Sequence, residues 1–518
     1  MKKNLLIGAL AAAGMLSAAP AFAQDQVVKL TTAAGQKVSL RVNYARQGFT
    51  VDWGDGPVSY TSAAGEDGLC LAEGVAKTGT VTLTGGSRLS TLVCSGNKLT
   101  AIDLSGATAL RSLYCQDNEL SKLDVTPCKQ LTDLDCSGNS LSVLTVTEKT
   151  HPYVENINVT GNKLGALTGS SSGSLAIRHS NVQHIYAGGN KFTAVNVSSN
   201  KSLDLLDCTA NKISTRLTLS ANDSLSVLLC SDNSISGLIM PSSTGLPALT
   251  QLVADNNRLS TLDLTQSTGL SYLSCANNQL TQVGLPSGVT LDAMSCGGNK
   301  LTFSSLPSAA NMPAHISYAP QDENFDISAL LTKKGDYYYM VQAPSFSDRN
   351  KDAYQLDLSD YALDPDGKRT ISFTFYGQND GADAAELTKA SLTNKDGDYF
   401  PATSAANYGK FSFLKPQHAA WFEMTSTTYP DLKFVSTGFT VAPEDEITGI
   451  ASVAGTGASL SVTGGAGELT LRSGAAQRVD IYDMQGRRVW QGEAAVDGTS
   501  VSLPAGVYVA GGKRVLVR

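Results

Sequence analysis

The eleven residues Leu89-Ser90-Thr91-Leu92-Val93-Cys94-Ser95-Gly96-Asn97-Lys98-Leu99 are echoed by Leu110-Arg111-Ser112-Leu113-Tyr114-Cys115-Gln116-Asp117-Asn118-Glu119-Leu120, and again from Leu131 to Leu141. The shared frame is L-x-x-L-x-C-x-x-N-x-L. Its asparagine occurs ten times, at Asn97, Asn118, Asn139, Asn162, Asn190, Asn211, Asn233, Asn257, Asn278 and Asn299, in steps of 21, 21, 23, 28, 21, 22, 24, 21 and 21 residues. A unit this short cannot bury its apolar face alone, so the repeats must stack. The L-x-C part reads as a short strand whose side chains alternate faces. Leu and Cys then point inward. The asparagine follows where the chain turns, placed to satisfy backbone groups that would otherwise be buried and unpaired.

A second apolar segment follows each asparagine, as in Leu99-x-x-Ile102-Asp103-Leu104 and Leu259-x-x-Leu262-Asp263-Leu264. Two extended pieces fill 21 residues, and a long helix does not fit. The polar run Ser170 to Ser174, in the longest step, is expected to bulge as a loop.

Frame and period together resemble the leucine-rich repeat. The resemblance implies a mainly β leucine-rich-repeat solenoid with short, largely extended coils and little helix, flanked by an N-terminal β cap and C-terminal β-sandwich domains. The expected divisions are 1–23, a signal peptide; 24–88, the cap; 89–315, about ten coils; 316–443, an immunoglobulin-like sandwich; and 444–518, a terminal domain.

Seven of the nine cysteines, Cys94, Cys115, Cys136, Cys208, Cys230, Cys275 and Cys296, hold the inward frame position. Val159, Ala187 and Ala254 hold it in other coils, so it is a packing site for small hydrophobes. Cys70 and Cys128 lie outside the frame. Steps of about 21 residues with no accompanying histidine do not suit a metal site, and no metal or cofactor is expected.

Lys2 and Lys3, the apolar stretch Leu5 to Leu16, and Ala21-Phe22-Ala23 read as a cleavable signal peptide. No other segment is apolar enough to span a membrane. A net charge of −7 and a charged fraction of 16% disfavour nucleic acid, which needs a basic stripe. Asp52-Trp53-Gly54-Asp55-Gly56 reads as a tight turn ahead of the cap rather than a calcium loop. Alternation in Ile371-x-Phe373-x-Phe375 and Phe411-x-Phe413, with turns between, reads as a sandwich.

The stretches Arg478 to Val489 and Leu503 to Arg518 resemble the C-terminal sorting domain of the type IX secretion system of Bacteroidetes. That resemblance implies export machinery as a partner and a final place that is secreted or on the outer-membrane cell surface.

His151, His179, His184, His315 and His418 fall in different coils or domains, and no nucleophile elbow or phosphate loop is present. The chain is read as a non-enzyme: a recognition or adhesion protein that binds a protein or glycan of a host or neighbouring bacterial surface. The alternatives are an envelope-organising protein without a specific ligand and, further off, a secreted hydrolase. Side chains flanking the inward leucines should line the concave face, exposed to solvent. They are Tyr114; Asp133 and Asp135; Asn156 and Asn158; His184 and Tyr186; Leu205 and Asp207; Val227 and Leu229; Val253 and Asp255; Tyr272; and the region of Ser295.

Overall fold

The computed structural model describes residues 26–517 apart from 45–47, 61–67, 86–88, 166–173, 177–178, 323, 335–336, 341, 345–351, 379–383, 392–395, 403, 442–459, 465–466, 474–476, 484–487, 496–497, 505 and 511–512. The segment read as a signal peptide, most of the Ser170 to Ser174 stretch and parts of the two tail motifs lie outside the described residues. Ser174 itself opens a strand, Ser174–Ala176, rather than closing a loop.

The chain forms two compact units, the first comprising residues 1–301 and 305–321 and the second 302–304 and 322–518. The first unit is a solenoid. Its main sheet has thirteen strands, and two of these, Lys37–Tyr44 and Cys70–Val75, belong to the cap. The remaining eleven run parallel, one per coil, from Leu89–Val93 to His315–Ser317. The far side is extended too, as a four-stranded sheet over Ser174–Ala176 to Leu238–Ile239 and a pair formed by Thr261–Asp263 and Gln282–Gly284. Helix among the described residues is limited to four three-residue 3-10 turns.

Each coil turns through one repeated conformation. The residue before the frame asparagine has positive φ in all ten coils, from 53° at Ala210 to 69° at Gly298. Glycine fills five of these positions and Asp, Asn or Ala the others. Each asparagine then stitches two coils. Asn139 Nδ2 donates to the carbonyls of Cys136 (3.1 Å) in its own coil and Cys115 (3.0 Å) in the preceding one, while its Oδ1 accepts from Leu120 N at 3.0 Å. Most of these side chains are buried, but those of Asn211 and Asn233 are only half-buried with the same bonds kept.

The array does not end at 315, the boundary expected from the sequence. His315–Ser317 continues the sheet, and Gln321 takes the asparagine role: its Oε1 accepts from Leu301 N at 3.1 Å and its Nε2 donates to Cys296 O at 2.9 Å. The longer side chain bridges the same groups from a coil whose inward residues are Ile316 and Tyr318 instead of Leu and Cys.

The cap closes the other end through both faces. Strand Lys37–Tyr44 pairs antiparallel with the first main-sheet strand, and Gln26–Thr31 pairs antiparallel with the first back strand, Ala101–Asp103. Asn97 finds its partner in the cap, accepting from Ser39 N and donating to Ser39 O, both at 2.8 Å. In the turn after Asp52, the Asp52 carboxylate accepts from Gly54 N and Gly56 N, while Trp53 is buried against Gly74, where any Cβ would strike the indole.

The sequence frame overlooks a second buried ladder, three residues before the Leu or Val that opens the frame. Cys128, His151, His179, Asn200 and Asn222 occupy it in successive coils, none more than 1% exposed. His151 Nε2 bonds to Val125 O (2.8 Å), His179 Nε2 to His151 O (3.0 Å), Asn200 Nδ2 to His179 O (2.8 Å) and Asn222 Nδ2 to Asn200 O (2.8 Å). An imidazole N–H and an amide N–H thus do the same work, satisfying carbonyls at the bend.

In the second unit, a sheet containing Ile371–Gln378 and Gln417–Ser426 faces a four-stranded sheet containing Asp352–Asp357 and Lys410–Phe413. Phe375 from the first meets Phe411 and Phe413 from the second at 4.7 and 5.1 Å between ring centroids. The tail forms a three-stranded and a four-stranded sheet around Leu469, Leu471, Ile481 and Val501. Tyr508 is buried there with its hydroxyl donating to Pro504 O at 2.8 Å.

Candidate functional site: the concave face

In each repeat strand the residue aligned with Leu92, through Leu134 and Leu206 to Met294, points into the core. Alternation then sends the first and third residues outward, and strict register lines them up in two columns. The first column runs Thr91, Ser112, Asp133, Asn156, His184, Leu205, Val227, Gln251, Tyr272 and Ala293. The second runs Val93, Tyr114, Asp135, Asn158, Tyr186, Asp207, Leu229, Val253, Ser274 and Ser295.

Two sequence expectations need correction. Asp255 is in neither column. Its strand is Gln251–Val253, so Asp255 falls past it, and its carboxylate accepts from Ser274 Oγ (2.7 Å) and Ala276 N (2.7 Å). Gln251 and Val253 hold the two places that the sequence reading gave to Val253 and Asp255. The columns are also not fully exposed: Tyr114, Asp133, Asp135, His184, Tyr186, Leu205, Asp207 and Leu229 are half-buried, while Tyr272 is 41% exposed. Strands about 4.8 Å apart press neighbouring side chains against one another, which removes water from their flanks.

The first column is joined by hydrogen bonds across coils. Asp133 accepts from Asn156 Nδ2 at 2.6 Å; Asn156 Oδ1 meets His184 Nδ1 at 2.6 Å; His184 Nε2 lies 3.4 Å from Asp204; and Asp204 accepts from Ser226 Oγ at 2.5 Å. With Asn156 Oδ1 as acceptor, His184 Nδ1 carries a proton. In the second column, Asn158 Nδ2 donates to Asp135 at 3.0 Å. Burial and the neighbouring Asp133 carboxylate raise the Tyr114 pKa; burial and Asp207 do the same at Tyr186. Both phenols therefore stay neutral and able to donate.

Beyond the polar stretch, Leu205 pairs with Val227 in the first column, and Leu229 with Val253 in the second. These four form a compact aliphatic patch. Beneath the face lie the frame cysteines, all free and at most 1% exposed. Burial pushes the thiols of Cys94, Cys230 and Cys296 up to about 12, which leaves them protonated and poor nucleophiles. No cluster of three or more His, Cys, Asp or Glu suited to a metal ion occurs among the described residues.

Parallel coils of about 21 residues, a frame-asparagine ladder and a stack of inward leucines and cysteines define a leucine-rich-repeat solenoid. Among solved structures, the chain is similar to the functional domain of InlJ from Listeria monocytogenes, which includes a cysteine ladder (20% identity over 68% of this chain and 86% of that one, TM-score 0.33). It is also similar to a leucine-rich-repeat protein of Leptospira interrogans (21% identity, 43% and 57% of the two chains, TM-score 0.36). A third is YopM, a leucine-rich effector protein from Yersinia pestis (21% identity, 45% and 62%, TM-score 0.37). No protein-family model and no curated protein matches the chain.

Proposed function

We propose that this chain is a cell-surface recognition protein that binds a protein or glycan through the concave face of its repeats, not an enzyme. One observation carries the reading. Every inward position is spent on a uniform apolar core, whereas the outward columns mix tyrosine, histidine, carboxylates and an aliphatic patch on adjacent strands. A spacer would need no such variety, and a cluster of half-buried aliphatic groups open to the face offers a contact site. The surface location rests on the signal-like N-terminus and on the resemblance of the tail to a type IX sorting domain.

The test is an array of host proteins and glycans probed with the intact chain and with a Tyr186→Ala/Leu229→Asp double variant. The variant should lose the ligand that the parent binds while melting within a few degrees of it. Equal binding by the variant, with loss on altering the sandwich instead, would move the site elsewhere. For the tail, deleting residues 447–518 should abolish surface display; normal display would dismiss the sorting role.

A further inference from the structure

The charges on the concave face restrict what can lie there. Asp133, Asp135 and Asp207 stand in its columns and Asp204 and Asp255 border them, and their intramolecular donors are neutral: hydroxyls, amides and backbone N–H groups. Among the described residues none is paired with a lysine or arginine, and His184, at 3.4 Å from Asp204, is the basic group nearest them. Arg111 borders the face at its N-terminal end. The aliphatic patch of Leu205, Val227, Leu229 and Val253 sits inside this field, with Asp204 and Asp207 on one flank and Asp255 on the other.

We infer that the partner is an extended, positively charged protein segment carrying an aliphatic side chain that seats on the Leu205–Val253 patch between the carboxylates. This rests on the concave-face reading and adds the chemistry of the ligand. Anionic glycans, nucleic acids and acidic lipid surfaces are repelled by the same groups. A neutral glycan would donate hydroxyls to the carboxylates, but it supplies neither the opposite charge nor an aliphatic side chain for the patch. From the strand of Asp133 to that of Val253 the sheet advances five strand spacings, about 24 Å, the reach of roughly seven extended residues.

A displayed library of random nine-residue peptides, panned on the full chain, tests this. The enriched pool should carry a net charge of at least +2 with a Leu, Ile or Val among the cations. The same pool should bind at least tenfold more weakly to Asp133→Asn/Asp135→Asn/Asp204→Asn/Asp207→Asn. On the unaltered chain, where folding is not in question, affinity should fall at least tenfold from 50 to 500 mM NaCl, since salt screens exposed charges. A neutral or acidic pool, salt-independent binding, or no enrichment over the Asn variant overturns the inference. If a glycan or an acidic protein from the array still needs Tyr186 and Leu229, the concave site stands and only its assigned charge preference falls.

Discussion

The side-chain amide of Asn118 replaces a missing turn of backbone for Leu99. Its Oδ1 accepts from Leu99 N at 2.9 Å and from Asn97 N at 3.0 Å, while Nδ2 donates to the carbonyls of Cys94 and Cys115, both at 3.0 Å. One buried side chain thus closes two coils. Truncating the equivalent Asn139 to Ala leaves the Leu120 N–H without its partner and takes one of two amide donors from the Cys115 and Cys136 carbonyls, which keep Asn118 Nδ2 and Asn162 Nδ2. Asn139→Ala should cost about 1–3 kcal/mol by urea unfolding. A loss under 0.5 kcal/mol would mean that the ladder is decorative.

Ala210 is the outlier of the turn series. Its φ of 53° lies where an L-residue with a Cβ is disfavoured, and its side chain is exposed, so no packing is lost on removing it. Relief of about 1–2 kcal/mol of strain is offset in part by the greater freedom of glycine in the unfolded chain. Ala210→Gly should stabilise by up to about 1 kcal/mol. Destabilisation in the same unfolding assay would contradict the assigned turn.

Acid should weaken the solenoid through His151. Burial lowers its pKa from the usual 6.5, so the unfolded chain binds this proton more readily than the folded one. Stability from this group is therefore full above pH 6.5 and declines as pH falls below it toward the depressed folded value. Asn occupies the same ladder position two coils on, so His151→Asn should fold and show a smaller drop between pH 7 and pH 5. An unchanged pH slope would assign the acid sensitivity elsewhere.

The thiols should be silent until the protein unfolds. With Cys128 and three of the frame cysteines pushed up to about 12 and all nine free and buried, native protein at pH 8 should take up almost no maleimide. In denaturant without reductant, mass spectrometry should count nine labels. Linked pairs in place of labels would overturn the free-thiol assignment.

The solenoid was legible because five positions of the frame agree in most coils, and each position has a single physical job. Its last turn was hidden because Ile316, Tyr318 and Gln321 do the jobs of Leu, Cys and Asn with different side chains. The back ladder was hidden for a related reason: Cys, His and Asn share one place through hydrogen bonding and size, which no single-letter pattern displays. Alternation located the concave columns, but their links depend on register between coils of unequal length. Asp204 escaped notice because it precedes its strand, and Asp255 was placed two residues early because the residues flanking Ala254, rather than those flanking Leu252, were counted as outward. The carboxylates could be counted from the sequence; that they accept only from neutral neighbours could not.

The antiparallel junction between Lys37–Tyr44 and Leu89–Val93 makes the coil number a free parameter. Parallel coils can be inserted or removed internally without touching either end, and each changes the distance between chosen side chains by one strand spacing, about 4.8 Å. Duplication or loss of a single 21-residue segment would lengthen or shorten the molecule in whole steps. The face can therefore change length in whole steps by recombination, before any point substitution is needed.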